Sequence, residues 1–305
     1  MPLRKLQAHS RIAVSGAQKM KIRKAIIPCG GLGTRFLPVT KGVAKEILPV
    51  IDTPVLAYIV NEIIDSGINE ILIILGKGKE AIREYFTPNP ELEKKLEGKP
   101  ALLDAVKSIN RNADIRFTYQ TSPKGSGDAV MCARKFTGDE PFCMSNGDDL
   151  IVSDVPVTKQ LIDSYNRNNG VILGVQEVEE SETDKYGIIK PRNTDGNTIL
   201  CETIIEKPKA NPPSRYAALG RYVLTPEIYD YIEKLPVSNG EIGLTDAICD
   251  MMKDGKVYAY KFEGRRYDMG DKFGALTATV DFALKRPEFG ERFKRYLKTV
   301  LGDEV

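Results

Sequence analysis

Lys24-Ala25-Ile26-Ile27-Pro28-Cys29-Gly30-Gly31-Leu32-Gly33-Thr34-Arg35 is the stretch that decides the fold. Ala25-Ile26-Ile27 is a short apolar run of the kind that forms a buried strand, and a glycine-rich loop comes directly after it. Glycines let backbone amides come close to phosphate oxygens, and successive N–H groups can form an anion nest. The loop lacks the GxxxxGK[ST] pattern of a P-loop, and Phe36 stands where the dinucleotide fingerprint needs a third glycine. A plain tight turn accounts for the glycines alone equally well.

Downstream of the loop the pattern continues. Thr53-Pro54 predicts a helix start, with threonine as cap and proline in the first turn. Val55, Leu56, Ile59, Val60, Ile63 and Ile64 form an apolar stripe at helical spacing, and Gly67 closes the helix. Ile71 to Leu75 reads as a second buried strand. This β-loop-α-β order predicts a parallel, doubly wound sheet. Further along, a charged helix is expected from Glu91 to about Ile109, then a strand through Ile115, Phe117 and Tyr119. A helix over Ala129 to Phe136 leads into strand Phe142-Cys143-Met144, and Val171 to Val178 is another strand. Tyr186 to Val223 is rich in short β-like pieces. Helices around Gly274 to Leu284 and Glu288 to Val300, separated by Pro287, are expected at an edge or a subunit contact.

The chain has 305 residues and a formal net charge of +2. Its near balance argues against a general nucleic-acid binder, and no apolar run approaches a membrane span. Five scattered cysteines without CxxC spacing indicate neither a disulfide framework nor a zinc site, which suits a reducing cytoplasm. Residues 1–19 read as a disordered extension without a secretory signal, with Met20 as a plausible start. The only histidine, His9, lies there, so Ser-His-Asp and Cys-His mechanisms are excluded from the folded body.

Four groups of residues can carry chemistry. Arg35 and Lys45 lie just past the glycine loop, and their charges suit a triphosphate whose pyrophosphate end departs. Asn146-Gly147-Asp148-Asp149 ends a buried strand, where ligands of such sheets bind, and a carboxylate near phosphates is a natural magnesium ligand. Spacing alone does not say which aspartate binds metal. In Arg266-Tyr267-Asp268-Met269-Gly270, Asp268 can complete a metal site or cap the following helix. In Glu206-Lys207-Pro208, lysine can bind a sugar phosphate and glutamate can accept hydroxyl hydrogen bonds.

Together these motifs resemble the sugar-nucleotide pyrophosphorylases, through the glycine loop and Lys45-Glu46-Ile47-Leu48-Pro49-Val50. The later motifs are similar to those of bacterial UTP–glucose-1-phosphate uridylyltransferases. They are Lys124-Gly125-Ser126-Gly127-Asp128-Ala129-Val130, Asp184-Lys185-Tyr186-Gly187-Ile188-Ile189, Gly220-Arg221-Tyr222-Val223-Leu224 and Gly240-Glu241-Ile242-Gly243-Leu244-Thr245-Asp246, together with the Glu206 and Arg266 motifs. The resemblance runs from about Lys24 to about Leu284. It implies a Rossmann-like three-layer α/β/α fold with a mostly parallel, mixed central sheet and a small inserted β-rich sugar-binding subdomain. The transferase domain would span 20–284, with a nucleotide half at about 20–150 and a sugar half at about 151–270, and 285–305 would be a C-terminal helix for a subunit contact.

The roles it implies are specific. Gly30, Gly31, Gly33 and Thr34 would cradle the nucleotide, with Arg35 and Lys45 on its phosphates. Gln120 and Gly125 would read uracil. Asp148 and Asp268 would hold Mg2+. Asp149, Gly187, Glu206 and Glu241 would contact glucose, and Lys207 would bind the phosphate of glucose 1-phosphate. UTP and glucose 1-phosphate would be the substrates, UDP-glucose and pyrophosphate the products, and the assembly a homodimer or homotetramer. The chain departs from the family pattern at Cys29-Gly30, where two small apolar residues are usual, at Asp128, where histidine or glutamine is common, and at Gly243, where glutamine is frequent. A glucose-1-phosphate thymidylyltransferase is the nearest alternative. A non-catalytic nucleotide-sugar-binding regulatory protein is the alternative of another class, and it predicts a missing cation or carboxylate where Arg35, Lys45, Asp148, Lys207 and Asp268 are all present.

Overall fold

Apolar side chains alternate along the first strand. Ala25, Ile27 and Cys29 enter one core cluster and Ile26 the other, so this strand is buried on both faces. A strand in that position needs helices above and below it. The computed structural model describes residues 21–302 apart from 123, 238 and 239. The expected extension, with His9 and Met20, lies outside the described residues.

The chain opens with β1 (Lys24–Cys29), the two-residue strands β2 (Pro49–Val50) and β3 (Thr53–Pro54), α1 (Val55–Asp65) and β4 (Glu70–Leu75). Next come α2 (Glu80–Phe86), α3 (Pro90–Lys95), α4 (Pro100–Lys107), β5 (Asp114–Tyr119), α5 (Gly125–Met131) and α6 (Arg134–Thr137). The middle of the chain forms β6 (Phe142–Ser145), β7 (Asp149–Val152), α7 (Val157–Asn168), β8 (Val171–Glu177), β9 (Gly187–Asp195), β10 (Thr198–Glu206) and β11 (Tyr216–Leu224). It ends with α8 (Ile228–Lys234), α9 (Leu244–Lys253), β12 (Val257–Lys261), β13 (Arg265–Asp268), α10 (Lys272–Lys285) and α11 (Gly290–Leu301).

One nine-stranded sheet runs in the order β5-β4-β1-β6-β11-β8-β12-β10-β9. The first four strands are parallel, which is the doubly wound arrangement expected from the opening stretch. From β6 onward the sheet is mixed: β11 is antiparallel to β6 and β8, while β12 is parallel to β8. The β-rich segment does not form a sheet of its own. Its strands continue the main sheet, and β9 also pairs with β11 at Ile188 and Ala217, closing this end into a ring. Apolar faces of α1, α7 and α10 fill the core on one side of the sheet. Those of α5, α8 and α9 fill the other, giving three layers.

Several boundaries differ from expectation for local reasons. Thr53 does not cap α1, because Thr53 and Pro54 pair with Pro49 and Val50 and the backbone stays extended until Val55. The N–H of Val55 is instead satisfied by the Leu48 carbonyl at 3.2 Å. The charged helix divides into α3 and α4, because Pro100 disfavours a helical Lys99 and restarts the helix after it. The helix placed at Ala129 begins earlier, at Gly125, and α6 is a separate turn. Gly67 comes after the C-cap Ser66 with a φ of 88°, as expected of a helix terminator. In the described residues no helix is long and apolar enough to cross a membrane.

Candidate active site

The parallel strands β1 and β6 end side by side, and the chemistry-bearing loops leave from those ends. After β1, Gly31, Leu32 and Gly33 donate no backbone hydrogen bond to the described residues. Such unspent N–H groups suit a phosphate oxygen. A 3-10 turn at Thr34–Phe36 carries Arg35, and a second at Lys45–Ile47 carries Lys45. Lys45 doubles back so that a Cβ placed on Gly31 would sit 3.6 Å from its amino group.

After β6, Asp148 takes the Lys45 ammonium in a short ion pair. Burial alone would lower the Lys45 pKa, but Asp148, with help from the neighbouring Glu46, turns the net shift upward, so the amine stays charged. Strands β7 and β13 pair antiparallel with Asp149 opposite Asp268, and the N–H of Met269 donates to the Asp148 carbonyl at 3.0 Å. Two like charges across a ladder repel. Arg266 offsets this by donating from Nε to Asp149 Oδ1 at 2.6 Å, with its terminal nitrogen 3.6 Å from Asp268 Oδ2. Arg35 approaches the same Asp268 oxygen at 3.7 Å. Asp268 does not cap α10. That role falls to Asp271, which accepts from Phe273 and Gly274 N–H, leaving Asp268 facing the loop of Arg35.

A cavity of about 280 Å3 lies between these groups and the antiparallel half of the sheet. Arg35, Asp148, Asp149, Gly187, Glu206, Lys207 and Asp268 all line it, so seven residues singled out from sequence converge there. Glu206 Oε2 accepts from Thr245 Oγ1 at 2.9 Å and Lys207 stands beside its other oxygen. Lys207 adopts a φ of 45°, held by its N–H on the Tyr186 carbonyl at 3.0 Å. Asp149 is buried, with Asn146 on Oδ2 at 3.3 Å. Burial raises its pKa above the ordinary carboxylate range even though Arg266 pulls the other way.

Gly30, Gly31, Gly33, Thr34, Lys45, Gln120 and Gly125 are not among the residues that line that cavity. Gly125 has a φ of 92° and its Cα faces the Ile242 carbonyl so closely that a Cβ would come within 2.7 Å, so only glycine fits. Glu241 is exposed and is not among the lining residues. Local pattern assigns no role to Tyr186, Arg266, Ser126 or Thr245, although all four sit inside the motifs that carry the resemblance. Their roles depend on contacts across 39 to 118 positions of chain, which no local signal carries.

Among the described residues no three His, Cys, Asp or Glu side chains form a metal cluster. Asp148 and Asp268 do offer hard carboxylate oxygens near the loops that carry Lys45 and Arg35. That donor set fits a divalent ion that takes its remaining ligands from phosphates and water.

Residues 24–283 match the family model described as nucleotidyl transferase. A UTP–glucose-1-phosphate uridylyltransferase of Bacillus subtilis is 47% identical over 93% of this chain and 99% of its own length. The chain belongs to the nucleotidyl transferase family, on the branch of the UTP–glucose-1-phosphate uridylyltransferases. Among solved structures, a UDP-glucose pyrophosphorylase from Acinetobacter baumannii superposes with a TM-score of 0.84 at 33% identity, covering 92% of this chain and 100% of that one. A UTP-bound form from the same organism superposes with a TM-score of 0.83 at 33% identity, covering 91% of this chain and 99% of that one. The three-layer fold is therefore that of a nucleotidyl transferase, and the metal chemistry of the family is that of a divalent cation.

Proposed function

We propose that this chain transfers the uridylyl group of UTP to glucose 1-phosphate, releasing pyrophosphate and forming UDP-glucose. The observation that carries this reading is the single cavity in which Arg35, Asp148 and Asp268 face Glu206 and Lys207. Triphosphate chemistry and a sugar-phosphate cradle thus share one space.

The reaction is an in-line displacement. A phosphate oxygen of glucose 1-phosphate attacks the α-phosphorus of UTP, the bond from that phosphorus to the bridging oxygen breaks, and the electron pair leaves with pyrophosphate. The nucleophile is already an anion, so no general base is required. The loop amides from Gly30 to Thr34 bind the nucleotide, and Gln120 and Gly125 meet the uracil edge. Arg35 and Lys45 take up charge on the phosphates, while Lys207 brings in the second substrate's phosphate. Glu206, Gly187 and Asp149 receive the sugar, and Glu241, outside the cavity lining here, would have to reach it from beside Gly125. A magnesium ion held by Asp148 and Asp268 would neutralise charge on the α-phosphate.

Initial rates of pyrophosphate release test the reading, with UTP, dTTP, CTP and ATP at fixed glucose 1-phosphate and then at fixed galactose 1-phosphate. UTP with glucose 1-phosphate is expected to be fastest, and a preference for dTTP would make the chain a thymidylyltransferase. Asp148→Ala is expected to lower kcat by about a hundredfold or more while thermal unfolding is little changed. Removing divalent ions with a chelator should abolish turnover, and added Mg2+ should restore it. Wild-type turnover in Asp148→Ala rules out the metal assignment. A cytoplasmic homodimer or homotetramer belongs to the same reading, with Tyr296, Val300 and Leu301 exposed on α11 as contact residues. A monomer by light scattering would remove that part.

A further inference from the structure

Gly30 and Asp128, two positions at which the chain departs from the family pattern, meet at one side chain. Gln120 lies just past β5, is 5% exposed, and is fixed at its backbone by an N–H donated to the Leu75 carbonyl at 2.8 Å. Its Nε2 donates to Asp128 Oδ2 at 2.6 Å and to the Gly125 carbonyl at 3.1 Å. Both partners are acceptors, which leaves the amide one orientation. Turned over, Oε1 would face a carboxylate and a carbonyl at hydrogen-bond distance with nothing to donate.

Oε1 therefore lies against Gly30, where a Cβ would come within 2.8 Å of it. Gly30 is closed from behind by Gly76, whose own Cβ would meet the Gly30 carbonyl at 2.9 Å. Glycine at this position leaves room for the amide oxygen, and alanine would push it away. Among the described residues nothing donates to Oε1, so the oxygen is a free acceptor beside the nucleotide loop.

We infer that Asp128 sets the base preference of the nucleotide site by locking Gln120 with its amide oxygen presented to the base. Such a site takes a pyrimidine with a ring N–H and turns away one whose ring nitrogen is itself an acceptor. Uracil carries a hydrogen on N3 and cytosine does not. With cytosine, two lone pairs face each other and a buried acceptor stays unpaired. Asp128 need not touch the nucleotide, so it is a positioning residue acting through Gln120. The inference rests on the nucleotide half of the proposed function, but it concerns binding and can be read without turnover.

Calorimetric titration of the full chain with UTP and with CTP, both in magnesium, measures the ratio of the two dissociation constants. The wild type is expected to favour UTP by about tenfold or more. Asp128→Lys places a donor beside Gln120, turns the amide over and brings the ratio to about one or below. Asp128→Asn can still accept from Nε2 and is expected to keep the wild-type ratio. Gly30→Ala displaces Oε1 and should lower the ratio with position 128 untouched. Circular dichroism melts establish that each variant is folded. A wild-type ratio of one overturns the inference, as does a wild-type ratio retained in folded Asp128→Lys and Gly30→Ala. A wild type that binds UTP selectively yet releases no pyrophosphate would overturn the transferase reading and uphold this one.

Discussion

Glu46 stands next to Lys45 in the chain but turns into the core, where it is 1% exposed and takes the Lys79 ammonium at 2.7 Å. Burial raises its pKa above the ordinary carboxylate value, and Lys79 opposes that shift without cancelling it. The pair anchors the turn that aims Lys45 at Asp148. Lys79→Met would leave the carboxylate buried without its cation and is expected to remove about 3–5 kcal/mol at neutral pH. The raised pKa sets the sign of the pH dependence. A carboxyl whose folded pKa exceeds its unfolded one stabilises fully below the unfolded value, and that contribution is lost as pH rises through the folded value. Loss of Lys79 enlarges the shift, so the deficit against wild type should shrink between about pH 7 and pH 5 in urea titrations. A constant deficit would show that Glu46 is not the group involved. Lys45 was legible in the sequence because it sits in a charged motif beside the glycine loop. The Glu46–Lys79 pair was not, because its partners are 33 positions apart and neither advertises burial.

Among the elements, β11 does the most to hold the cavity in shape. Its Arg221, 1% exposed, makes a forked contact with Glu62 of α1 and donates to the Asp149 carbonyl at the start of β7 at 2.8 Å. Glu62 Oε1 in turn accepts the N–H and hydroxyl of Thr158 in the first turn of α7. Four elements thus meet at one ion pair behind the cavity floor. Arg221→Met removes the cation and strands Glu62, an expected loss of about 3–5 kcal/mol in urea unfolding. Arg221→Met with Glu62→Leu should recover most of it, since Glu62 is no longer buried without its cation, and a double variant as unstable as the single one would exclude this account. The apolar runs of β1, β4 and β6 were legible because they are continuous and bounded by turn residues. The β7–β13 pairing was not, because strand partners 113 to 119 positions apart leave no periodic trace. The stripe of α1 was read correctly, but its start was displaced for a local reason, the pairing of Thr53 and Pro54 with Val50 and Pro49, which imitates a cap and first turn in sequence.

Across the whole molecule the cavity sits at the seam where β6 stops the parallel half and β11 begins the mixed half. Arg35, Lys45 and the glycine loop belong to the first half. Gly187, Glu206 and Lys207 belong to the second. That division, expected from sequence as a nucleotide half and a sugar half, fits one continuous sheet rather than a separate inserted sheet, because β8 to β12 extend the strands already present. One sheet under both proposed phosphate sites predicts that each substrate can be weakened without the other. Lys207→Ala should raise KM for glucose 1-phosphate about tenfold or more and leave KM for UTP within about twofold, since a charge-assisted hydrogen bond is lost on one side only. Arg35→Ala should do the reverse and also lower kcat, because its guanidinium lies 3.7 Å from Asp268, the carboxylate proposed to hold the metal at the reacting phosphate. Pyrophosphate-release kinetics with each substrate varied in turn separates these outcomes. If Lys207→Ala lowers kcat alone and leaves both KM values unchanged, Lys207 acts on the departing charge, and the assignment of one phosphate to each half of the sheet is wrong.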